Sequence, residues 1–167
     1  MNPAIPTGWS EANIRRLAEK FASVMGYKPG AEISPIVEKK LHGTIQYLDW
    51  EDWQQKGAET IEVRGPGDFT IYLNRLGGMF NNRYGIAHEL GHYILHSNLG
   101  EIPLWAQNNK KDERAEWEAN WFAISLLMPE KAFRKHYQRN PNPWFLASRF
   151  LVSPEAVNIR KKTLDLE

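Results

Sequence analysis

The chain contains no cysteine, and this absence excludes two kinds of structure. Without thiols the protein can form neither disulfide bonds nor a metal site built from thiolates. A cysteine-free chain fits a reducing compartment. The N-terminal segment MNPAIPTGWSE also lacks the basic and apolar regions of a signal peptide, so we expect a cytoplasmic protein.

An excess of charge of one sign and a long apolar run are also missing. The 21 basic and 20 acidic residues give a net charge of +1, so no strong field draws the protein to nucleic acid or to anionic lipid. The longest apolar run, WFAISLLM at residues 121–128, is too short to span a bilayer. The sequence therefore predicts neither a membrane protein nor a general nucleic-acid binder.

The composition is that of a soluble globular protein, with 42% hydrophobic and 25% charged residues. We predict one domain over residues 1–167. It would comprise N-terminal helices and a sheet in residues 10–75, a pair of helices carrying the candidate site in residues 82–129, and a helical tail in residues 130–167.

The order of predicted elements indicates the fold class. A first helix is predicted after Ser10, which can cap it, with an apolar stripe of Ile14, Leu17, Phe21 and Val24. Three short segments rich in β-formers follow: TIQYL at 44–48, TIEVR at 60–64 and FTIYL at 69–73. The sequence GPGD predicts a hairpin turn between the last two. Helices, then sheet, then helices predict an α+β fold with a small, mostly antiparallel three-stranded sheet.

The segment RYGIAHELGHYILH, residues 83–96, contains two histidines four positions apart. On a helix, His88 and His92 lie on one face and can direct imidazole nitrogens at one metal ion. Glu89 follows directly, where its carboxylate would lie beside the metal and could take a proton from a water there. Gly91 inside the helix would let another segment approach the metal face closely. The alternative is a helix that carries two hydrogen-bonded structural histidines.

A catalytic zinc site needs a third protein ligand and an open position. The segment DERAEWEANWFAISLLMP, residues 112–129, is predicted to form one helix from a possible Asp112 cap to Pro129. Counting 100° per residue places Glu116 and Asn120 on its buried face and Glu118 almost opposite, in water. Glu116 is the first choice of ligand, because a buried carboxylate needs a partner, and Glu113 is the second. Alternatively, Glu116 could pair with an arginine.

The remaining candidate residues have supporting roles. Asn120 could hold a ligand by accepting from an imidazole N–H, and His96, which lacks the spacing of a third histidine ligand, is predicted to support the site or the fold. A donor to the developing oxyanion is also expected. The candidates for that donor are Tyr84, Tyr93, Arg83 and His42.

The tail NPWFLASRFLVSPEAVNIRKKTLDL predicts two short helices with a tight join. Asn142 and Ser153 can cap them, each followed by a proline in the first turn. This helix-turn-helix-like pair carries Arg160, Lys161 and Lys162, which would suit DNA. The acidic end of the chain and the balanced net charge favour instead a structural role or contact with a protein partner.

Two linked motifs resemble one known family. The chain is similar to the ImmA/IrrE metallopeptidases in RYGIAHELGHYILH and in the later EWEANWFAISLLMP. The shared features are an arginine before AHELGH, the LH that follows it, and the glutamate of the second segment. The resemblance covers residues 83–129 closely. It implies a compact gluzincin-like fold in which the histidine helix packs on a small sheet and is crossed by the glutamate helix.

The resemblance also implies a ligand set and a substrate class. It implies zinc held by His88, His92 and Glu116, and Glu89 as the catalytic glutamate. Histidine and carboxylate ligands also accept manganese or iron, which are less favoured. The implied substrate is a helix-turn-helix repressor of a phage, mobile element, stress response or toxin–antitoxin pair. The alternative is a regulatory module that binds a repressor or DNA without cleavage and uses the metal structurally or as a sensor.

Overall fold

The structure is a computed structural model and describes residues 1–56, 59–107 and 113–166. Within these ranges, none of the helices has the length and apolar character needed to cross a membrane. The possible Asp112 cap lies outside the described residues. The helices are α1 (Glu11–Met25), α2 (Trp50–Lys56), α3 (Met79–Gly91), α4 (Glu113–Leu127), α5 (Glu130–Arg139), α6 (Pro143–Phe150) and α7 (Pro154–Thr163). Two π-helical turns span Ile36–Lys40 and His92–His96.

The α+β class is confirmed, but the sheet has five strands instead of the predicted three, and its strands run in mixed instead of mostly antiparallel directions. Five strands are described: β1 (Asn2–Pro3), β2 (Thr44–Leu48), β3 (Glu59–Gly65), β4 (Asp68–Asn74) and β5 (Leu104–Gln107). Their order is β1-β5-β3-β4-β2. The β3–β4 hairpin and the β3–β5 pair are antiparallel, whereas β1 pairs with β5 and β2 with β4 in parallel. The sheet is therefore mixed, and two of its strands were missed.

The first helix begins as predicted. Ser10 is the N-cap of α1, and its side chain accepts a hydrogen bond from the backbone N–H of Asn13. Ile14 and Phe21 are buried, but Val24 is 69% exposed, so its predicted place in the apolar stripe is wrong. Two small residues, Ala18 and Ala22, complete the buried face instead. Small side chains let α1 approach its neighbour closely.

Helix α4 is the centre of the helical layer. It packs against α1 on one side and α3 on the other. Its buried residues are Ala115, Glu118, Ala119, Phe122, Ala123, Ile124, Ser125, Leu126 and Leu127. The buried surface therefore extends around most of the helix. Helix α3 also packs on β4, which fixes the histidine helix between the sheet and α4.

The tail forms the predicted helical pair. Asn142 caps α6, and Ser153 caps α7. However, Arg160 is not part of a basic surface, because it is 1% exposed. Its guanidinium donates to the carbonyl of Met128, at 2.9 Å, and to Glu19. These bonds attach α7 to the helical layer, so this arginine stabilises the fold and is not free to contact DNA.

Candidate metal centre

The two histidines of the motif come together at the end of α3. His88 lies in the last α-helical turn, and His92 begins the π-helical turn His92–His96. The wider turn is closed by a hydrogen bond from the Ser97 N–H to the His92 carbonyl, at 3.0 Å. The Nε2 atoms of His88 and His92 are 3.2 Å apart. Short π-helical turns inside helices are frequent at functional sites.

A carboxylate from α4 completes the group. Glu116 places Oε2 3.1 Å from His88 Nε2 and Oε1 3.2 Å from His92 Nε2. His92 is 1% exposed, whereas the side chains of His88 and Glu116 keep 13% and 20% of their surface in solvent. The site therefore has a closed inner side and an accessible outer side.

The three donors suit a small divalent ion. Zinc binds imidazole nitrogen and carboxylate oxygen at about 2.0–2.2 Å, so neighbouring donors of a tetrahedral site lie about 3.3–3.6 Å apart. The observed separations of 3.1 to 3.2 Å are close to that range. His88, His92 and Glu116 could therefore hold a metal ion with one position left for another ligand.

Glu89 lies beside this group and is buried, with 3% of its surface exposed. Its Oε2 atom has no hydrogen-bond partner among the described residues. Burial raises the pKa of Glu89 to about 7, while the charge of His88 and a hydrogen bond with Thr60 act in the opposite direction. A buried carboxylate oxygen without a partner is costly, so its position beside the donors suits a group that exchanges protons there.

The charges of the donor set are complementary. Burial would raise the pKa of Glu116, but hydrogen bonds from His88 and His92 outweigh it and lower the pKa to about 2. Burial lowers the pKa of His92 to about 4, so its imidazole is neutral near pH 7. Burial, the largest single influence, opposes protonation of His88 as well, but the hydrogen bond with Glu116 and the charges of Glu89 and Glu116 together raise its pKa. An ionised carboxylate and a neutral imidazole are the forms that bind metal.

Asn120 lies on the same face of α4 as Glu116, as predicted. Its Oδ1 is 2.9 Å from Nδ1 of His88 and accepts a 2.7 Å hydrogen bond from the Tyr84 hydroxyl. Because an amide oxygen only accepts, Nδ1 of His88 must carry the proton. In the neutral ring that binds metal, the lone pair of His88 is then on Nε2, the atom that faces the other donors.

The other predicted oxyanion donors are held elsewhere. Arg83 is buried and donates to the carbonyls of Ala31 and Leu151 and to the Tyr27 hydroxyl. The Tyr93 ring stacks on Phe69, with 4.0 Å between ring centroids, and its hydroxyl donates to the Leu99 carbonyl.

Neither Arg83 nor Tyr93 lines the cleft beside the histidines, and the exposed His42 does not line it either. Tyr84 is therefore the one predicted donor that does. The cleft has a volume of about 370 Å³, and His88, Glu89, Glu116 and Asn120 also line it.

The structure corrects the predicted position of Glu118. This residue was expected in water but is 0% exposed. Its Oε2 lies 3.1 Å from Nε2 of His96, and its Oε1 accepts from Arg114 at 3.0 Å. His96 in turn contacts His92, with 2.8 Å between their Nδ1 atoms. The signal in the sequence was the second glutamate of EWEAN, but one helix considered alone does not show what covers it.

The alternatives for Glu116 find no support in the geometry. The nearest arginine on α4, Arg114, pairs with Glu118, and Arg83 is bound to other acceptors. The second choice of ligand, Glu113, is exposed. Among the described residues, the group that could hold a metal is that of His88, His92 and Glu116.

Comparisons with known proteins agree with this geometry. The family model described as IrrE N-terminal-like domain, of the M78 peptidases, matches residues 44–162. Metallopeptidase ImmA of Bacillus subtilis (strain 168) is 28% identical over 102 residues, which cover 55% of this chain and 59% of that protein.

In fold, the chain is similar to a Mycobacterium tuberculosis transcriptional regulator. The TM-score is 0.62 and the identity 17%, over 89% of this chain and 46% of that one. This likeness supports the fold alone. The chain spans about half the length of these two relatives. Because the family model covers well over half of the chain and includes the residues of the candidate metal centre, the chain belongs to the ImmA/IrrE family.

Proposed function

We propose that the protein is a zinc-dependent endopeptidase. The observation that carries the proposal is the convergence of His88 Nε2, His92 Nε2 and the Glu116 carboxylate within 3.2 Å of one another. Two nitrogens and one oxygen suit zinc, while manganese and iron accept the same donors. The chain's membership of a peptidase family supports the reaction class.

The residues divide the work between holding the ion and moving a proton. Zinc bound there would supply a Lewis acid that polarises the scissile carbonyl. Glu89 accepts the proton of the attacking water at its buried carboxylate and later delivers it to the leaving amine. Its unpaired Oε2 atom leaves one oxygen available for that transfer. Asn120 keeps the Nε2 lone pair of His88 directed at the site.

Tyr84 is the donor we assign to the developing oxyanion. Burial and the charge of Glu116 raise its pKa, so the phenol keeps its proton at neutral pH. Its hydroxyl donates to Asn120 and would have to turn towards the substrate. We expect Tyr84→Phe to lower kcat more than it raises KM. An unchanged kcat would rule it out.

We propose that the substrate is a helix-turn-helix repressor, on the basis of the resemblance to the ImmA/IrrE family. The test is to incubate the zinc-loaded protein with a helix-turn-helix repressor encoded near its gene, where the genome has one, and to look for new peptide termini by mass spectrometry. The matched controls are the Glu89→Gln variant and a sample with excess chelator. Fragments in the wild-type sample alone support the proposal. Binding of the repressor without fragments would favour a non-cleaving regulatory module.

A further inference from the structure

A second histidine and a second carboxylate lie directly behind His92. The Nδ1 atoms of His92 and His96 are 2.8 Å apart, and His96 Nε2 is 3.1 Å from Glu118 Oε2. All three side chains are buried, with at most 4% of each residue exposed. The contacts therefore form an unbroken line from Nδ1 of a candidate metal ligand to a carboxylate on α4.

The proton positions along this line follow from elementary hydrogen-bond chemistry. Two ring nitrogens at 2.8 Å form a hydrogen bond only if one carries a proton and the other offers a lone pair. If His92 binds metal through Nε2 as a neutral ring, its Nδ1 carries the proton. His96 must then accept at Nδ1 and carry its own proton on Nε2, which donates to Glu118. With a metal ion on Nε2 of His92, this single arrangement satisfies the contacts from His92 to Glu118.

Glu118 is fixed in the role of acceptor by its other neighbours. Its carboxylate accepts from the backbone N–H of Thr7 at 2.8 Å, the Thr7 hydroxyl at 2.8 Å, the backbone N–H of Gly8 at 2.9 Å and Arg114 Nε at 3.0 Å. An ionised carboxylate only accepts, and it offers about four lone-pair sites to these donors and His96. The N-terminal segment thus holds an acid more than a hundred positions away in sequence.

We propose that His96 and Glu118 are positioning residues, which fix the tautomer and ring orientation of His92 and so strengthen metal binding. The proposal rests on the proposed metal site, since it assigns a role to groups that do not touch the ion. The two histidine ligands are then held in different ways. His88 donates to the neutral amide of Asn120, whereas His92 donates through an imidazole to an anchored carboxylate. Partners of this kind raise ligand basicity and oppose rotation of the ring.

Two substitutions at one position test the proposal. In His96→Phe the ring keeps its size but loses both nitrogens, whereas in His96→Asn an amide stands near the place of Nδ1. We expect His96→Phe to weaken zinc binding by roughly 10- to 100-fold, measured by chelator competition. His96→Asn should recover most of that loss. The matched control is His136→Phe, because His136 also packs on an aromatic ring but lies outside this network. It should leave the zinc affinity unchanged.

A second readout does not depend on activity. Nitrogen-15 NMR of the histidine rings in the zinc-loaded wild-type protein should show the Nδ1–H tautomer for His92 and the Nε2–H tautomer for His96. If His96→Phe does not fold, Glu118→Gln is tested instead. The NH2 group of the new amide must face one of the N–H or O–H groups that Glu118 accepts from, so the network is disrupted. We expect zinc binding to weaken several-fold.

Each result has a defined meaning. Equal zinc affinities of His96→Phe and wild type, or equal losses in His96→Phe and His96→Asn, would overturn the proposal. The opposite tautomers in the wild-type protein would also overturn it. If the wild-type protein binds no zinc, the proposed function fails, while the His96 tautomer still decides whether its Nε2–H donates to Glu118.

Discussion

A Cβ on Gly91 would stand 3.0 Å from the Cα of Ala119 and 3.1 Å from its carbonyl oxygen. Helices α3 and α4 therefore meet backbone to backbone at this point. His92 follows Gly91 directly, and Glu116 lies one helical turn before Ala119. The close approach thus brings the histidines and the glutamate of the candidate centre into reach of one another.

Gly91→Ala is expected to destabilise the protein although alanine favours helices by about 1 kcal/mol. The new methyl group meets backbone atoms, which cannot move aside without separating the helices, and we expect a loss of about 1–3 kcal/mol in the free energy of unfolding. Zinc affinity should fall as well. The control is Gly85→Ala on the same helix, whose methyl meets only the Leu73 Cδ2 atom, at 3.2 Å. The free energies of unfolding are measured in urea for both variants. A higher value for Gly91→Ala than for Gly85→Ala would contradict this account.

Glu89→Gln is expected to retain zinc and lose cleavage. The amide keeps the size of the side chain but cannot accept the proton of water, so kcat should fall about 100-fold or more. His92→Ala, by comparison, should lose zinc and cleavage together. Metal content by atomic absorption, with cleavage rates on the same samples, separates the two effects. Near wild-type activity of Glu89→Gln would show that this carboxylate is not the base.

The stability of the metal-free protein should depend on pH through Glu89. Burial raises the folded-state pKa of this acid from its ordinary 4.5 to about 7. Its contribution is therefore favourable at low pH and is lost as pH rises through 7, with a cost on the order of 3 kcal/mol above that value. Glu89→Gln does not titrate, so its stability relative to wild type should increase between about pH 5 and pH 8. A difference in unfolding free energy that stays constant with pH would refute this.

Arg160→Gln is expected to destabilise the tail, whereas Lys162→Gln should have little effect. Arg160 is buried and donates to Met128, Ser125 and Glu19, so its removal leaves buried acceptors without a donor. We expect a loss of about 2 kcal/mol or more. Lys162 is exposed on the same helix and is the matched control. Thermal unfolding distinguishes the two, and an equal effect of both substitutions would contradict the anchoring role.

Local spacing made much of the candidate site predictable. His88 and His92 are four residues apart, and the helical repeat alone is enough to predict that they share one face. Glu116 and Asn120 followed from their place on the face of α4 that carries Ala119 and Ala123, and the structure places both beside His88. The three longer strands were also correctly located, because each is rich in β-formers and bounded by turn residues.

The parts that depend on distant segments were not predictable. The sequence predicts Glu118 in solvent because a helical wheel takes account of one helix alone. In the structure, Thr7 and Gly8 from the N-terminal segment cover this side chain. The strands Asn2–Pro3 and Leu104–Gln107 are too short to give a periodic signal, and they become strands by pairing with each other and with β3. Arg160 likewise shows in the sequence only as one of three basic residues on α7, and its acceptors Met128, Ser125 and Glu19 lie in other segments.

The central claim is that Glu116 completes a metal site with His88 and His92. The most direct test is the zinc affinity of Glu116→Gln and of Glu113→Gln, measured by chelator competition at neutral pH. Glu113 lies one turn earlier on α4 and is exposed, so its substitution controls for loss of one negative charge. We expect zinc binding to weaken at least about 100-fold in Glu116→Gln, because a carboxylate ligand is lost, and to stay unchanged in Glu113→Gln. Wild-type zinc affinity in Glu116→Gln would contradict the account.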